Sequence, residues 1–321
     1  MAITDTTFLV LSATGRQGRA VIKALIAKGA TSIVASSRNP TSDASQKLLE
    51  LEQVTKVVQA DFNDPESIEA ATNASNATHV WFTTDFWSIP FLKRTRAKEA
   101  QLGFNVIDAI KKAKVNGNND IKHVVYSSVG NADNCPKDIH HFLGKADIEK
   151  YMASQFDSET NITWSVIRPV VFFENFDDEP NYNPFKKGFV KMLTFPDKPV
   201  FWIAVEDIGK GSVVLLTNPE KYSGKIIDAA GAKHTGFELA EILTRVSGVN
   251  CMYEMTMPRF ALRLFLRDLY HMVKWFELDN KGGFTVDIEE FKKIVPDAQD
   301  AEAFFIAKGQ WADGEKFGSN K

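Results

Sequence analysis

Phe8-Leu9-Val10-Leu11-Ser12-Ala13-Thr14-Gly15-Arg16-Gln17-Gly18-Arg19-Ala20-Val21 decides how the rest of this 321-residue chain is read. Four apolar residues make a buried strand, and residues 20–28 carry helical periodicity. Between them lies a turn bearing two glycines. Such a turn lets the backbone approach a ligand closely, and the helix start supplies unpaired N–H groups and the positive end of a dipole. Followed by more strand–helix units, it is the phosphate cradle of a dinucleotide site; alone, it is an ordinary connection.

More units do follow. Residues 32–35, 56–60, 79–82, 123–126 and 163–167 are short, apolar and β-branched, and a long helical stretch covers 93–114. Continuous apolar strands separated by helices indicate a parallel sheet covered on both faces. The expected fold is α/β: a Rossmann-type doubly wound parallel sheet with a smaller, mainly helical C-terminal substrate lobe. The first domain is placed at 1–168 and the lobe at 169–321, with a strand near 225–229 returning to the sheet. Residues 170–202 read as loops with short helices. Residues 259–274 read as one helix, with Arg259, Arg263 and Arg267 opposite Leu262, Phe265, Leu266 and Leu269.

Composition excludes several classes. The net charge of −3 offers no basic face for nucleic acid, and no apolar run approaches the ~18 residues of a membrane span. The N-terminus has no basic n-region, so a cytoplasmic location, with nuclear access open, is expected. Cys135 and Cys251 lie far apart and the six His show no ligand spacing, so no metal is expected. Asp279-Asn280-Lys281-Gly282-Gly283 opens like a calcium loop but lacks oxygen ligands at its third and fifth positions. The 24 Phe give more ring surface than a core of this size needs.

The turn residues Ser12, Thr14, Gly15, Arg16, Gln17 and Gly18 are the candidates for pyrophosphate binding. A NAD-selective site places a carboxylate about 20 residues on; here the second strand ends in Ser36-Ser37-Arg38. A guanidinium suits the 2′-phosphate of NADP(H), and one such contact contributes roughly 1.5–3 kcal/mol. Asp61 and Phe62, ending the third strand, are candidates for the adenosine end, while Asp64 before Pro65 reads as a helix cap.

The segments VLSATGRQGRAV (10–21), SSRNP (36–40), QADFNDPESI (59–68), WFTT (81–84), HFLGK (141–145), TWSVIRPVVFFENF (163–176), VEDIG (205–209) and GGFTVDIEEFKKIVP (282–296) resemble the NmrA-like proteins, atypical members of the short-chain dehydrogenase/reductase superfamily. The resemblance implies an NAD(P) domain, a smaller lobe and a cleft between them. It sets Thr83 and Thr84 beside the nicotinamide half, Ser128 at the catalytic serine position and Lys145 at the active-site lysine. Two departures stand out: Ser12 replaces the usual first glycine, and the superfamily's YxxxK is His141-Phe142-Leu143-Gly144-Lys145.

His141 and Lys145 share a helix face at i, i+4. Histidine titrates near neutrality and suits proton transfer, although His140 has an equal claim and either residue can simply pack. The rings Trp81, Phe82, Phe86 and Trp87, and Phe173 and Phe176 with Asn175, are placed as a cluster at the ligand edge for a small apolar or aromatic substrate; for any single ring, hinge or core packing is the first account. The expectation is an NADPH-dependent reductase of an apolar carbonyl, quinone or activated alkene, with Lys145, and His141 or Ser128, assisting. The alternatives are an NADP(H) redox sensor acting on a protein partner, or a cofactor-templated isomerase or cyclase.

Overall fold

Leu9 and Val10, in the opening apolar run, lie in an interior strand of a seven-stranded sheet, flanked by parallel strands on both sides. The structure is a computed structural model that describes residues 3–116, 120–156, 159–177, 182–278 and 283–317. The loop resembling a calcium site therefore falls, except for Gly283, outside the described residues.

In chain order the elements are β1 (Thr7–Val10), α1 (Arg16–Ala27), β2 (Ser32–Ser37), α2 (Asp43–Leu49), β3 (Val54–Gln59), α3 (Pro65–Ser75), β4 (His79–Thr83), α4 (Arg96–Val115), β5 (His123–Ser127), α5 (His140–Gln155) and β6 (Thr163–Pro169). Then come β7 (Val171–Phe172), β8 (Phe189–Met192), β9 (Val200–Ile203), α6 (Val205–Thr217), α7 (Pro219–Tyr222), β10 (Lys225–Ala229) and β11 (Ala232–His234). The chain ends with α8 (Gly236–Ser247), β12 (Met252–Met255), α9 (Arg259–Phe265), α10 (Arg267–Phe276), α11 (Ile288–Lys292) and α12 (Ala301–Lys308).

The large sheet has the order β10-β6-β5-β4-β1-β2-β3. Strands β1 to β6 pair in parallel. The order reverses direction between β1 and β4, so the C-terminal ends of these two strands flank the switch point of a doubly wound sheet. Alternation sends neighbouring side chains to opposite faces. Phe82 stacks on Tyr126 at 4.7 Å in the core beneath α3, α4 and α5, whereas Trp81 Nε1 donates to Ser212 Oγ of α6 at 3.1 Å. Both rings are fully buried. They belong to the sheet core, which corrects their placement at the ligand edge.

The chain divides into two units. The first comprises Met1–Asp133, His140–Arg168 and Ile208–Ile227; the second comprises Asn134–Ile139, Pro169–Asp207 and Asp228–Lys321. The strand expected near 225–229 is β10, which extends the edge of the large sheet, and residues Ile208–Ile227, with most of α6, return to the first unit with it.

The long helix expected over 93–114 is α4 (Arg96–Val115), which starts where Thr95 Oγ1 accepts from the Lys98 N–H at 3.1 Å, after the 3-10 turn Phe91–Lys93. Two readings of local structure need correction. Residues 170–202 hold the short strands β7, β8 and β9. The helix expected over 259–274 breaks at Leu266 (φ −134°, ψ 58°), and Phe265 is 63% exposed instead of facing inward.

Candidate functional site

The turn after β1 closes through backbone contacts that only small residues permit. Gly18 faces Ser12 O and the Ala13 backbone so closely that a Cβ would lie 2.4 and 2.7 Å from them. Glycine is thus required for α1 to start against the turn. Ser12 itself takes the left-handed conformation (φ 59°), where a glycine is unstrained and another residue costs roughly 1–2 kcal/mol. Its hydroxyl donates to Thr83 O at 3.2 Å, which offsets part of that strain. The serine-for-glycine departure therefore keeps the turn shape and adds a tie to β4.

That tie is the first of three. Thr83 Oγ1 donates to Ser127 O at 2.8 Å, and Ser127 Oγ donates to Gln17 Oε1 at 2.6 Å. The turn, the ends of β4 and β5, and the first turn of α1 are cross-linked in this way. Gly15 stands at the N-cap of α1 with no side chain capping the helix. Arg16 is exposed beside it, and Thr14 is half-buried, its carbonyl accepting from Arg19.

A second polar group lies one residue further along. Lys145 Nζ donates to Thr84 O at 2.8 Å and Thr84 Oγ1 at 3.1 Å, and pairs with Glu99 Oε1 at 3.0 Å. Thr84 Oγ1 also contacts Glu99 Oε1 (2.9 Å) and Tyr126 OH (3.2 Å). Burial, and after it the charge of Glu99, pushes the Tyr126 phenol well above its ordinary value. Sequence reading did not find Glu99 or Tyr126. Ser128, next to the tied Ser127, is 4% exposed, and its Oγ has no hydrogen-bond partner among the described residues.

The two histidines opening α5 differ. His140 is exposed, whereas His141 is 7% exposed among rings: Phe142 at 4.7 Å, Trp87 at 5.3 Å and Phe86 at 5.7 Å. On α5, His141, Lys145 and Glu149 form one polar ridge, and Glu149 holds Arg168 at the end of β6 through both its oxygens. Phe86 is buried with Ile89 and Leu102, while Trp87 is 42% exposed. Arg94 lies over both rings and over Phe91, and donates to the carbonyls of Trp87 and Ile89.

The remaining candidates separate. Arg38 is exposed at the end of β2 and forms no ion pair among the described residues. Asp61 Oδ1 accepts from the Asn63 backbone N–H (2.9 Å) and side chain, a turn-forming role, and Phe62 packs on Phe86, Ile89 and Leu102. Asp64 caps α3. In the second unit, Phe173 and Phe176 are 0% and 1% exposed, stacked on Trp202 at 5.5 and 5.1 Å. Phe304 and Phe305 complete that core, which absorbs the rings placed at a ligand edge; Asn175 between them is half-buried. Among the described residues, no three His, Cys, Asp or Glu side chains gather as metal ligands.

Comparison with known proteins places this geometry. The NmrA-like family model matches residues 4–305. The NmrA-like family domain-containing oxidoreductase FrzB of a Cladobotryum species is 28% identical over 276 residues, 78% of this chain and 76% of that protein. Among solved structures, NmrA, a negative transcriptional regulator in complex with NADP, aligns with TM-score 0.72 at 18% identity over 94% of each chain. Citrobacter sp. triphenylmethane reductase complexed with NADP(H) aligns with TM-score 0.71 at 19% identity, over 94% of this chain and 99% of that one.

Proposed function

The chain belongs to the NmrA-like family, and from that premise we propose that it is an NADPH-dependent reductase of an apolar carbonyl, quinone or activated alkene. One observation carries the reading. The tight Gly15–Gly18 turn, the half-buried Lys145 and the buried Thr84 and Ser128 occupy the same edge of the sheet, at the β1–β4 switch point. The names of the relatives support the reading: FrzB is an oxidoreductase, and the reductase of Citrobacter is complexed with NADP(H).

The residues fit the cofactor. Gly18 leaves the backbone room that a Cβ would fill, and the uncapped start of α1 offers N–H groups to a pyrophosphate, with Thr14, Arg16 and Gln17 around it. Arg38, exposed and without an ion pair among the described residues, takes the 2′-phosphate. Asp61 and Phe62 border the adenosine end; Thr83 and Thr84 border the nicotinamide half. Bound NADPH supplies the hydride.

The chain supplies everything else. Lys145 presents a positive charge that stabilises negative charge developing on a substrate oxygen. His141, buried beside Phe86, Trp87 and Phe142, offers an imidazole for proton transfer at the same edge. Ser128 Oγ, buried and unpartnered, is a donor for the same oxygen. Phe86 and Trp87 favour a flat apolar ligand. The reading includes a cytoplasmic location; among the described residues no helix is long and apolar enough to cross a membrane.

The test is to incubate purified protein with NADPH and a panel of quinones, enones and aldehydes, following loss of the reduced nicotinamide absorbance. Turnover with at least one acceptor, abolished by Lys145→Ala, is the expected result. Binding of NADPH with no turnover on any acceptor would replace this reading with the sensor. In that case a protein partner is captured in the presence of one of NADPH and NADP⁺ and released by the other.

A further inference from the structure

The lysine that carries the site is turned toward the protein. A protonated lysine has three N–H donors, and the ammonium of Lys145 has three acceptors: Thr84 O, Thr84 Oγ1 and Glu99 Oε1. Thr84 has a single hydroxyl proton. Given to Glu99 Oε1 at 2.9 Å, it leaves two lone pairs, which accept from Lys145 and from Tyr126 OH at 3.2 Å. The network is closed on the lysine side.

Glu99 is the residue around which the network is built. It is fully buried, and its second oxygen, Oε2, is buried with no hydrogen-bond partner among the described residues. The oxygen sits where Gly144 of α5 has no side chain; a Cβ there would come within 2.9 Å of it. Packing alone does not call for a carboxylate in this place, since a buried acid with one oxygen unanswered is unfavourable unless a cation compensates it. Lys145 compensates it, and Glu99 in return fixes where Lys145 points. Arg96, three residues earlier on α4, clasps Asp147 of α5 through both carboxylate oxygens at 2.6 Å and holds the two helices in register.

We propose that Glu99 is a positioning residue, which pins Lys145 against the end of β4 as a fixed cation and keeps it from serving as a mobile proton donor. Proton delivery then falls to His141 or Ser128. The proposal rests on the reading of the strand-end edge as a nicotinamide-nucleotide site, and two measurements separate its failure from that of the reading.

The first needs no cofactor. Site-resolved acetylation of the full chain, read by mass spectrometry, compares Lys145 with the exposed Lys93 and Lys293. In Glu99→Gln, Lys145 should react about tenfold faster than in the parent, the loss of one charge-assisted contact. Gly144→Ala should do the same by displacing the carboxylate, while gaining helix propensity, so it serves if Glu99→Gln fails to fold. Unchanged Lys145 reactivity in a folded variant overturns the proposal.

The second measurement is a cycle on NADPH affinity, read by nucleotide fluorescence. Glu99→Gln should raise the NADPH Kd about tenfold in the parent and less than about twofold in Lys145→Met, because its effect passes through the lysine. Equal effects in both backgrounds mean that Glu99 is merely structural, and overturn the proposal. If the parent binds no NADPH, the cofactor reading fails, and acetylation alone decides the role of Glu99.

Discussion

Strands β4 and β5 run side by side from His79 and His123 to Thr83 and Ser127, and their two ends bury polar groups in opposite ways. At the lower, N-terminal end, the imidazoles lie 6.3 Å apart with hydroxyl neighbours: His79 Nδ1 and Thr78 Oγ1 at 2.8 Å, His123 Nδ1 and Thr163 Oγ1 at 2.8 Å, His123 Nε2 and Ser165 Oγ at 3.1 Å. Burial first, then the charge of Lys122, lowers His79 to about 4; burial first, then His79, lowers His123 to about 3. The lower end is neutral. The upper end keeps an ion pair between the half-buried Lys145 and the fully buried Glu99, and leaves Glu99 Oε2 and Ser128 Oγ without partners among the described residues. Polar burial at the lower end serves packing, whereas at the upper end it leaves capacity that packing does not use.

The largest expected effect tests the lower end. Unfolded imidazoles take up protons below about 6.5; the folded pair does so only near 4 and 3. The unfolded chain therefore binds more protons through that window, and the contribution is whole above 6.5 and drains as pH falls toward 4. At pH 4.5 the loss is on the order of 5 kcal/mol for the pair. Urea midpoints at pH 7 and pH 4.5 should fall steeply in the parent and much less in His79→Gln/His123→Gln. Equal falls would remove the titrating pair from the comparison.

The next test belongs to the upper edge, at the end of β2, where the proposed cofactor reading puts Arg38 on the 2′-phosphate. Arg38→Asp should weaken NADPH binding by about 10- to 100-fold and NADH binding little, while leaving the thermal midpoint almost unchanged because the side chain is exposed. Loss of both nucleotides to the same degree would break the assignment.

Sequence reading reached the two ends unequally, for physical reasons. The central strands and the glycine turn were legible because apolar runs and glycine spacing are local properties. Lys145 was legible only through resemblance. Glu99 was missed because Arg96-Ala97-Lys98-Glu99 reads as a solvated charged face, although Glu99 is in phase with the buried stripe Leu102, Gly103, Val106 and Ile110. A carboxylate in register with an apolar stripe was the available signal. Phe173 and Phe176 fail differently: a ring cluster looks the same in sequence whether it lines a cleft or, as here, stacks on Trp202 inside the second unit. The break at Leu266 has no glycine or proline to announce it.

The smallest expected effect is the sharpest comparison, because it sets one hydroxyl against another. Thr163 Oγ1 donates to Lys122 O at 2.9 Å and touches His123 Nδ1, so Thr163→Val takes the partner from a buried ring nitrogen and one of two donors from a carbonyl that keeps the Thr163 N–H. A loss of about 1–2 kcal/mol follows. Ser128 Oγ has no partner to lose, so Ser128→Ala removes a buried polar atom and should leave stability unchanged or raise it by about 0.5 kcal/mol. Denaturant midpoints at neutral pH measure both. On the proposed reading, the same Ser128→Ala protein should turn over more slowly with NADPH and its acceptor, since a hydroxyl that does nothing for the fold is retained for what binds beside it. If Ser128→Ala destabilised the chain as much as Thr163→Val, the upper end would be held together in the same way as the lower, and the distinction between them would be lost.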